Sequence, residues 1–201
     1  IATSERPGPV LIDIPKDVQF ATGTYTEKTK SKIKHYNPQT KGNLDSITEL
    51  VELIEKAERP VFYTGGGVIN SGNQASQLLR ELVKETNFPI TSTLMGLGSY
   101  PASGKNWLGM LGMHGTYEAN LSMHGCDLMI NIGARFDDRI TGVLDKFSPH
   151  SKKAHIDIDA SSINKVITVD VPIIGDVACV LEDLLKVWKS RGNKTNSSKI
   201  S

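Results

Sequence analysis

Apolar and polar positions alternate along the chain in blocks that predict helices and strands in turn. In four stretches the apolar residues recur every three or four positions, as on one face of a helix. Short, almost wholly apolar runs lie between these stretches and are typical of strands buried on both faces. The predicted helices surround residues 44–54, 78–83, 117–124 and 177–188, and the predicted strands cover residues 61–64, 89–93, 127–132, 154–158 and 171–174.

This alternation predicts an α/β fold with a parallel sheet and helices on both faces. Three stretches lie outside it. Residues 10–14 form a short apolar run before Pro15, which predicts the end of a strand. Residues 94–115 are glycine-rich and predict a long loop with no element of its own, and such loops are usually functional or disordered. The polar stretch from residue 189 to 201 predicts a disordered tail.

Several predicted strands end in a distinctive group of residues. Because the carboxyl ends of parallel strands meet at one edge of a sheet, these groups indicate a ligand along that edge. They occupy residues 64–67, 93–96, 133–135, 157–158 and 175–176.

Glycines 65 to 67 follow a predicted strand and precede a predicted helix. Without Cβ atoms their backbone can approach a phosphate and offer N–H groups to it. A tight strand-to-helix turn explains the same residues equally well. The triplet differs from the GxGxxG dinucleotide fingerprint, and the chain has no phosphate-binding P-loop.

The segment RFDDR, residues 135–139, places four charges in five positions directly after a strand. An arginine there can bind a pyrophosphate through two parallel hydrogen bonds. A solvated loop with internal ion pairs is the alternative. Acidic residues at other strand ends are open to two interpretations as well. Asp157, Asp159 and Asp176 can accept from a ribose hydroxyl or cap the helix that follows.

Overall charge and cysteine content exclude several other classes of function. Lys and Arg number 23 and Asp and Glu 22, so a net charge of +1 offers no broad field for nucleic acid. No apolar run reaches the ~18 residues of a membrane span. His114, His124, Cys126 and Asp127 lack metal-ligand spacing, and we expect no metal site in this chain. The two cysteines, 126 and 179, suit a reducing, cytoplasmic compartment.

Four segments of the sequence carry a family resemblance. Residues 6–17, RPGPVLIDIPKD, resemble the segment that ends the first domain of thiamine-diphosphate enzymes. The motifs TLMGLG at 93–98, MLGMHG at 110–115 and GARFDDRITG at 133–142 resemble acetolactate synthase, also called acetohydroxyacid synthase. Their joint occurrence in this order is highly specific, and the resemblance runs from residue 1 to about Trp188.

The resemblance implies a three-domain enzyme in which this chain is the central, Rossmann-like domain that binds FAD. Thiamine diphosphate and Mg²⁺ would bind in the other two domains, beside a catalytic Glu and a GDG motif, and this chain would hold no catalytic residue. The implied boundaries are residues 1–20 for the end of the pyrimidine-binding domain, 21–43 for a linker, 44–189 for the FAD-binding domain and 190–201 for a disordered tail or linker. Because the chain begins with Ile1, we expect a fragment.

Matched motif by motif, the resemblance implies a set of FAD contacts along the predicted ligand edge and in the first segment. They are Arg6, Gly65, Gly66, Gly67, Thr93, Leu94, Met95, Met113, His114, Gly133, Ala134, Arg135, Asp137, Arg139, Ile140, Asp157, Ile158, Asp176 and Val177. Implied substrate-channel residues are Lys16, Met113, Asp138 and Arg139. Glu5 departs from the family, which usually has glycine there, and it places a carboxylate beside Arg6.

The implied reaction of the full enzyme condenses two pyruvates to 2-acetolactate and CO₂, or pyruvate with 2-oxobutyrate, in branched-chain amino-acid biosynthesis. We expect this chain to be inactive alone. Its implied partners are the remaining domains, a homodimer or homotetramer and a regulatory subunit, without nucleic acid or membrane. Two alternatives stay open: another thiamine-diphosphate enzyme of the pyruvate oxidase or glyoxylate carboligase type, and a free-standing nucleotide-binding module.

Overall fold

The computed structural model describes residues 1–27 and 38–192. The chain divides into two compact units, Ile1–Pro38 and Gln39–Ser201. In its described part the first unit contains one short helix, α1 (Lys16–Phe20). Residues 10–14 form no strand, so that prediction was wrong. They are exposed, with Leu11 89% exposed, and no described strand pairs with them to satisfy their backbone groups.

The second unit alternates helices with strands, as the hydrophobic pattern predicts. Its helices are α2 (Leu44–Lys56), α3 (Gly66–Asn70), α4 (Asn73–Thr86), α5 (Tyr117–Gly125), α6 (Asp138–Thr141) and α7 (Val177–Ser190). Its strands are β1 (Pro60–Thr64), β2 (Ile90–Ser92), β3 (Trp107–Met110), β4 (Leu128–Ile132), β5 (Lys152–Asp157) and β6 (Val171–Ile174). Single 3₁₀ turns occupy Leu94–Gly96, Leu144–Lys146 and Ala160–Ser162.

The strands form one six-stranded sheet in the order β3-β2-β1-β4-β5-β6, and every pairing is parallel. The predicted α/β class is therefore confirmed. This order places the first strand in the middle of the sheet, next to β4, where the direction of winding reverses. In open α/β sheets that reversal point, at the carboxyl ends of the strands, is where ligands bind.

Strand β3 corrects the prediction that residues 94–115 contain no element. Among the described strands it pairs with β2 alone, at the edge of the sheet, and all four of its residues are half-buried. Gly109 lies within it at φ +94°, a backbone conformation that is unfavourable for strands in general. Partial burial and an internal glycine together hide this strand from a search for apolar runs.

Hydrophobic cores cover both faces of the sheet. In β1, Phe62 packs into a core with residues of α2, α4 and α7, whereas Val61 and Tyr63 pack into a second core that includes Ala119 of α5. All three side chains are at most 1% exposed. Burying one such side chain stabilises the fold by roughly 1.5–3 kcal/mol. Helices on both faces are thus required, as predicted.

Helix α7 packs against both α2 and α4 and holds their shared layer together. It extends through Ser190, into the stretch predicted to be disordered. Beyond it, the Arg191 guanidinium pairs with Glu52 at 2.9 Å and with Glu55 at 3.1 Å, both on α2. These ion pairs order the start of the polar tail. The rest of the predicted tail, residues 193–201, and residues 28–37 of the predicted linker lie outside the described residues.

Candidate functional site

The predicted site residues of the second unit follow the carboxyl ends of its strands, and backbone hydrogen bonds join them along one edge. Gly65 N–H donates to Ile132 O at 3.0 Å, and Gly67 N–H donates to Gly133 O at 2.9 Å. On the other side of β4, Gly133 N–H donates to Ile156 O at 2.8 Å. We call this the carboxyl edge, made of the residues directly after β1 to β6. The structure brings the glycine turn, the start of the charged segment and the end of β5 together there.

Glycines 65 and 67 are required by close packing between two turns. A Cβ on Gly65 would lie 2.3 Å from Gly133 O, and a Cβ on Gly67 would lie 2.6 Å from the Gly133 Cα. Both distances are shorter than side chains tolerate, so the tight-turn interpretation accounts for these two glycines. Gly66 differs, because its Cβ would lie no closer than 3.3 Å to another atom, the Met95 Cβ. Contact of the triplet with a ligand stays a prediction.

Apolar side chains stand exposed along the carboxyl edge. Leu94 is 67% exposed, Met95 75% and Met113 78%. Leu94 and Met95 follow β2, the second strand from one edge of the sheet, and Met113 follows the edge strand β3. Neighbouring exposed apolar groups rimmed by polar residues are typical of a binding surface. The edge therefore offers flexible apolar contacts of the kind that methionine supplies to ligands of irregular shape.

The charged loop, residues 135–139, extends over the end of β4 and leads into α6. The Arg135 guanidinium pairs with Asp137 at 3.1 Å, and the two side chains are 55% and 40% exposed. The interaction with the neighbouring Asp138 carboxyl group and the nearby Arg135 charge lower the pKa of Asp137. Asp137 stays ionised at neutral pH. Because the pair is exposed, it contributes little to stability and leaves Arg135 free to change partners.

A cavity of about 630 Å³ opens between the charged loop and the loop after β3. Its wall contains Gly112, Met113, Asn120, Asp138, Arg139, Ile140 and Gly142. Three of these, Met113, Asp138 and Arg139, are predicted substrate-channel residues. The structure brings these three together, while Lys16, the fourth, belongs to the first unit together with the predicted FAD contact Arg6. Both stay predictions.

Asn120, on α5, fixes one wall of this cavity and escaped the sequence analysis. Its Oδ1 accepts from Gly112 N–H at 3.1 Å, and its Nδ2 donates to Gly112 O at 3.0 Å. Gly112 has φ +104°, and a Cβ on it would lie 2.7 Å from Ile140 Cδ1. The asparagine therefore holds the MLGMHG loop against the start of α6. A lone asparagine in a helix gives no sequence signal for such a role.

Two further residues missed by the sequence analysis lie inside the sheet, next to Ala134. The side chains of Asn131 on β4 and His155 on β5 both hydrogen-bond the Ala134 main chain. Both residues are fully buried. Polar residues within apolar strands were the available signal, since a polar group in such a position needs a specific partner.

Acidic residues at the end of β5 and directly after β5 and β6 accept hydrogen bonds from the backbone that follows them. Asp157 Oδ1 accepts from Asp159 N–H at 2.9 Å, and Asp159 caps the following 3₁₀ turn through Ser161 N–H. Asp176 Oδ1 accepts from Ala178 N–H at 3.0 Å and from Ser71 Oγ at 2.8 Å, which confirms its predicted capping of α7. Asp159 and Asp176 therefore cap the elements that follow them, whereas Asp157 makes a local bond to Asp159 N–H and caps no described helix. Contact with a ribose stays a prediction.

Within residues 1–27 and 38–192, no group of three or more His, Cys, Asp or Glu side chains has the proximity to hold a metal ion. No helix in the same ranges combines the length and apolar character needed to cross a membrane.

Comparison with known proteins decides the family. Residues 47–184, from within α2 to within α7, match the family described as "Thiamine pyrophosphate enzyme, central domain". The chain belongs to this family. The match covers the whole six-stranded sheet, including the carboxyl edge and both loops that line the cavity.

Among individual relatives, proteins named acetolactate synthase are similar over most of the chain. The large subunit from Buchnera aphidicola subsp. Acyrthosiphon pisum is 44% identical over 191 residues, which are 94% of this chain and 33% of the relative. Acetolactate synthase isozyme 3 large subunit from Escherichia coli K12 is 44% identical over 189 residues, 93% of this chain and 33% of the relative. Acetolactate synthase from Mycobacterium bovis is 45% identical over 94% of this chain and 30% of the relative. The chain thus spans about a third of the length of these curated relatives.

Proposed function

We propose that residues 44–189 bind FAD along the carboxyl edge and serve as the central domain of an acetolactate synthase. One observation carries the FAD proposal: exposed arginines and exposed apolar side chains share the edge where the winding of the sheet reverses. The similarity to acetolactate synthase large subunits, over more than nine-tenths of the chain, supports the choice of enzyme.

The chemistry of the edge fits the two halves of FAD. The dinucleotide carries a pyrophosphate between two flat ring systems. Arg135 and Arg139 are exposed and supply the planar, permanently charged guanidinium groups that pair with phosphate. Leu94, Met95 and Met113 offer apolar surface to rings. The site therefore offers both kinds of contact that an extended dinucleotide needs, charged hydrogen-bond donors for the phosphates and apolar surface for the rings.

In the full enzyme, bound thiamine diphosphate supplies the carbon chemistry that joins pyruvate to a second 2-oxo acid, and FAD undergoes no net redox change. This chain's residues bind and orient the flavin, and the cavity residues Met113, Asp138 and Arg139 line the approach for substrate. Mg²⁺ and thiamine diphosphate bind in other domains. The working enzyme is a cytoplasmic homodimer or homotetramer with a regulatory subunit.

Titration of FAD with the purified 201-residue chain tests the binding proposal. We expect a saturable change of flavin fluorescence at one FAD per chain and weaker binding of FMN, which lacks the AMP half of FAD. A chain with native far-UV circular dichroism that leaves FAD fluorescence unchanged would refute FAD binding.

A product assay tests the assignment to the enzyme. With thiamine diphosphate, Mg²⁺ and pyruvate, we expect no acetolactate from the 201-residue chain, because the proposed catalytic Glu and GDG site belong to other domains. Acetolactate formation by this chain would contradict that assignment. In the intact enzyme the same assay should yield acetolactate, whereas acetyl phosphate or tartronate semialdehyde would identify a different thiamine-diphosphate enzyme.

A further inference from the structure

Ala134, the residue before the charged loop, is held by two side chains that reach it from inside the sheet. Asn131 Nδ2 donates to Ala134 O at 2.7 Å, and Ala134 N–H donates to Asn131 Oδ1 at 3.0 Å. His155 Nε2 lies 2.9 Å from the same Ala134 O. A carbonyl only accepts, so His155 carries its proton on Nε2 and donates. Both polar groups of the Ala134 main chain are therefore bonded to side chains.

These side chains replace the backbone partners that a strand would provide. Strand β4 ends at Ile132, and Gly133 then turns at φ +64°, which directs Ala134 away from the ladder. A buried peptide there needs other partners, because Ala134 is only 3% exposed. Asn131 and His155 supply them, and the pairing of β4 with β5 places these two residues directly opposite each other.

The position of Ala134 decides which way the charged loop faces. Phe136 is 4% exposed, and its ring lies 5.2 Å from the His155 ring and 6.2 Å from the Tyr63 ring. Ala134 and Phe136 thus point into the core, while Arg135 between them points outward. Without the hydrogen bonds that hold Ala134, this inward–outward–inward order of residues 134–136 would no longer be fixed at its first residue.

His155 makes this bond to Ala134 although its other ring nitrogen is buried without a hydrogen-bond partner in the described part of the chain. It is 0% exposed, and its Nδ1 has no hydrogen-bond partner within the described residues. Buried polar atoms without partners are rare in folded proteins and call for an explanation. An apolar residue would avoid the loss, so a histidine contributes the polar contacts of its Nε2 at this position, which are the 2.9 Å bond to Ala134 O and a longer contact with Asp157 Oδ2 at 3.5 Å.

We propose that Asn131 and His155 are positioning residues that set the conformation of the charged loop and, through it, the affinity for the dinucleotide. The second half of this inference rests on the proposed function. Neither residue touches the ligand in this scheme. They act through Ala134 and Phe136 on Arg135 and the residues that follow.

The test compares Asn131→Leu and His155→Phe, which remove the hydrogen bonds but retain side-chain volume, with His155→Gln, which retains a donor. Thr86→Val is the matched control, because it removes a buried side-chain bond, to Leu82 O at 2.8 Å, at the far end of α4. Trypsin cleavage after Arg135 and Arg139, without FAD, reports opening of the loop. FAD titration by flavin fluorescence measures the effect of loop opening on FAD affinity, and circular dichroism verifies that each variant is folded.

We expect cleavage about tenfold faster in Asn131→Leu and His155→Phe, because cleavage follows the population of the opened loop. We expect FAD affinity to fall about tenfold in the same variants, with both values restored towards wild type in His155→Gln. Thr86→Val should retain wild-type cleavage at the loop and wild-type affinity. If one of the two apolar variants fails to fold, the other carries the comparison.

Cleavage at the wild-type rate in a folded apolar variant would overturn the positioning role. Faster cleavage with unchanged FAD affinity, in a chain whose wild type binds FAD, would overturn the link to the ligand. A wild type that binds no FAD refutes the proposed function instead, and the cleavage rates then still decide whether Asn131 and His155 position the loop.

Discussion

Gly67 and Gly133 touch through their main chains, and neither position has room for a side chain. Gly67 N–H donates to Gly133 O at 2.9 Å. A Cβ on Gly67 would lie 2.6 Å from the Gly133 Cα, and a Cβ on Gly133 would lie 2.7 Å from the Gly67 Cα. The turns after the two central strands are therefore locked together by backbone alone, at the point where the sheet reverses its winding.

Gly67→Ala should destabilise the chain because the new methyl group overlaps the Gly133 backbone. Overpacking of this kind costs typically 1–3 kcal/mol. Gly125→Ala is the control, since Gly125 ends α5 with no atom within 4 Å of its added Cβ, and alanine there should be neutral or slightly stabilising. Urea unfolding followed by circular dichroism measures both. Equal midpoints for the two variants would contradict the packing argument.

Arg139→Ala should weaken FAD binding much more than Lys84→Ala. Arg139 lines the cavity beside Met113, whereas Lys84 is an exposed residue of α4. Loss of a charge-assisted hydrogen bond of roughly 1.5–3 kcal/mol weakens binding about tenfold to a hundredfold. Flavin fluorescence titration compares the two affinities. Identical FAD affinities of the two variants would favour the alternative that residues 135–139 form a solvated loop without ligand contact.

Asp127→Ala should destabilise the fold at the opposite edge of the sheet, without effect on ligand binding. The Asp127 carboxylate accepts from Glu58 N–H at 2.7 Å and from Arg59 N–H at 2.9 Å, which ties the entry of β1 to the entry of β4. Losing such an acceptor costs about 1–3 kcal/mol. Asp145→Ala, at an exposed position, should change the free energy of unfolding by less than about 0.5 kcal/mol. Thermal unfolding measures the stability of both variants. Equal stabilities would show that the Asp127 hydrogen bonds do not stabilise the fold.

Asp170 should make the stability of the chain depend on pH in the acid range. Partial burial acts to raise the pKa of its carboxyl group, but hydrogen bonds from Lys152 Nζ and Lys153 N–H outweigh burial and hold the pKa below its ordinary value. A carboxyl group with a lowered pKa stabilises the fold above the unfolded value, about 3.9, and this stabilisation disappears as the pH falls through the folded value.

Asp170→Asn should therefore have a lower urea midpoint than wild type at pH 6, and the gap should narrow as the pH falls below about 4. Unfolding curves for the two proteins at several pH values measure that gap. A gap of constant size from pH 6 to pH 3 would exclude the ion pair as its source.

Much of the fold follows from periodicity, because the central strands β1, β2 and β4 are buried on both faces. Residues 171–174 match β6 without error, and the predicted apolar faces of α2 and α7 match their buried sides except at Leu44, which is 60% exposed. Predictions from periodicity were wrong where a strand is only partly buried and where an apolar run has no partner strand. Half-buried β3 gave no apolar run, and the apolar run at 10–14 found no partner strand.

Sequence motifs located the site but not the contacts that shape it. The glycine triplet was correctly placed at the carboxyl edge. Its packing against Gly133, however, joins two residues, Gly67 and Gly133, that are 66 positions apart in the sequence. Asn120, Asn131 and His155 act on main-chain atoms, and such partners follow from backbone geometry rather than from side-chain pattern. Long-range backbone contacts of this kind become visible only in the folded chain.

The strand order also has a consequence for how the chain folds. Strands β1 to β3 are neighbours in sequence and in space, and so are β4 to β6, so each half of the sheet can form from nearby segments. Only the pairing of β1 with β4 must close a long loop, a step that is entropically slow. That late step is the one that brings Gly67 to Gly133. We expect the junction of β1 with β4 to be the last part of the sheet to form during folding, so an incompletely folded domain would present two half-sheets and no complete binding site.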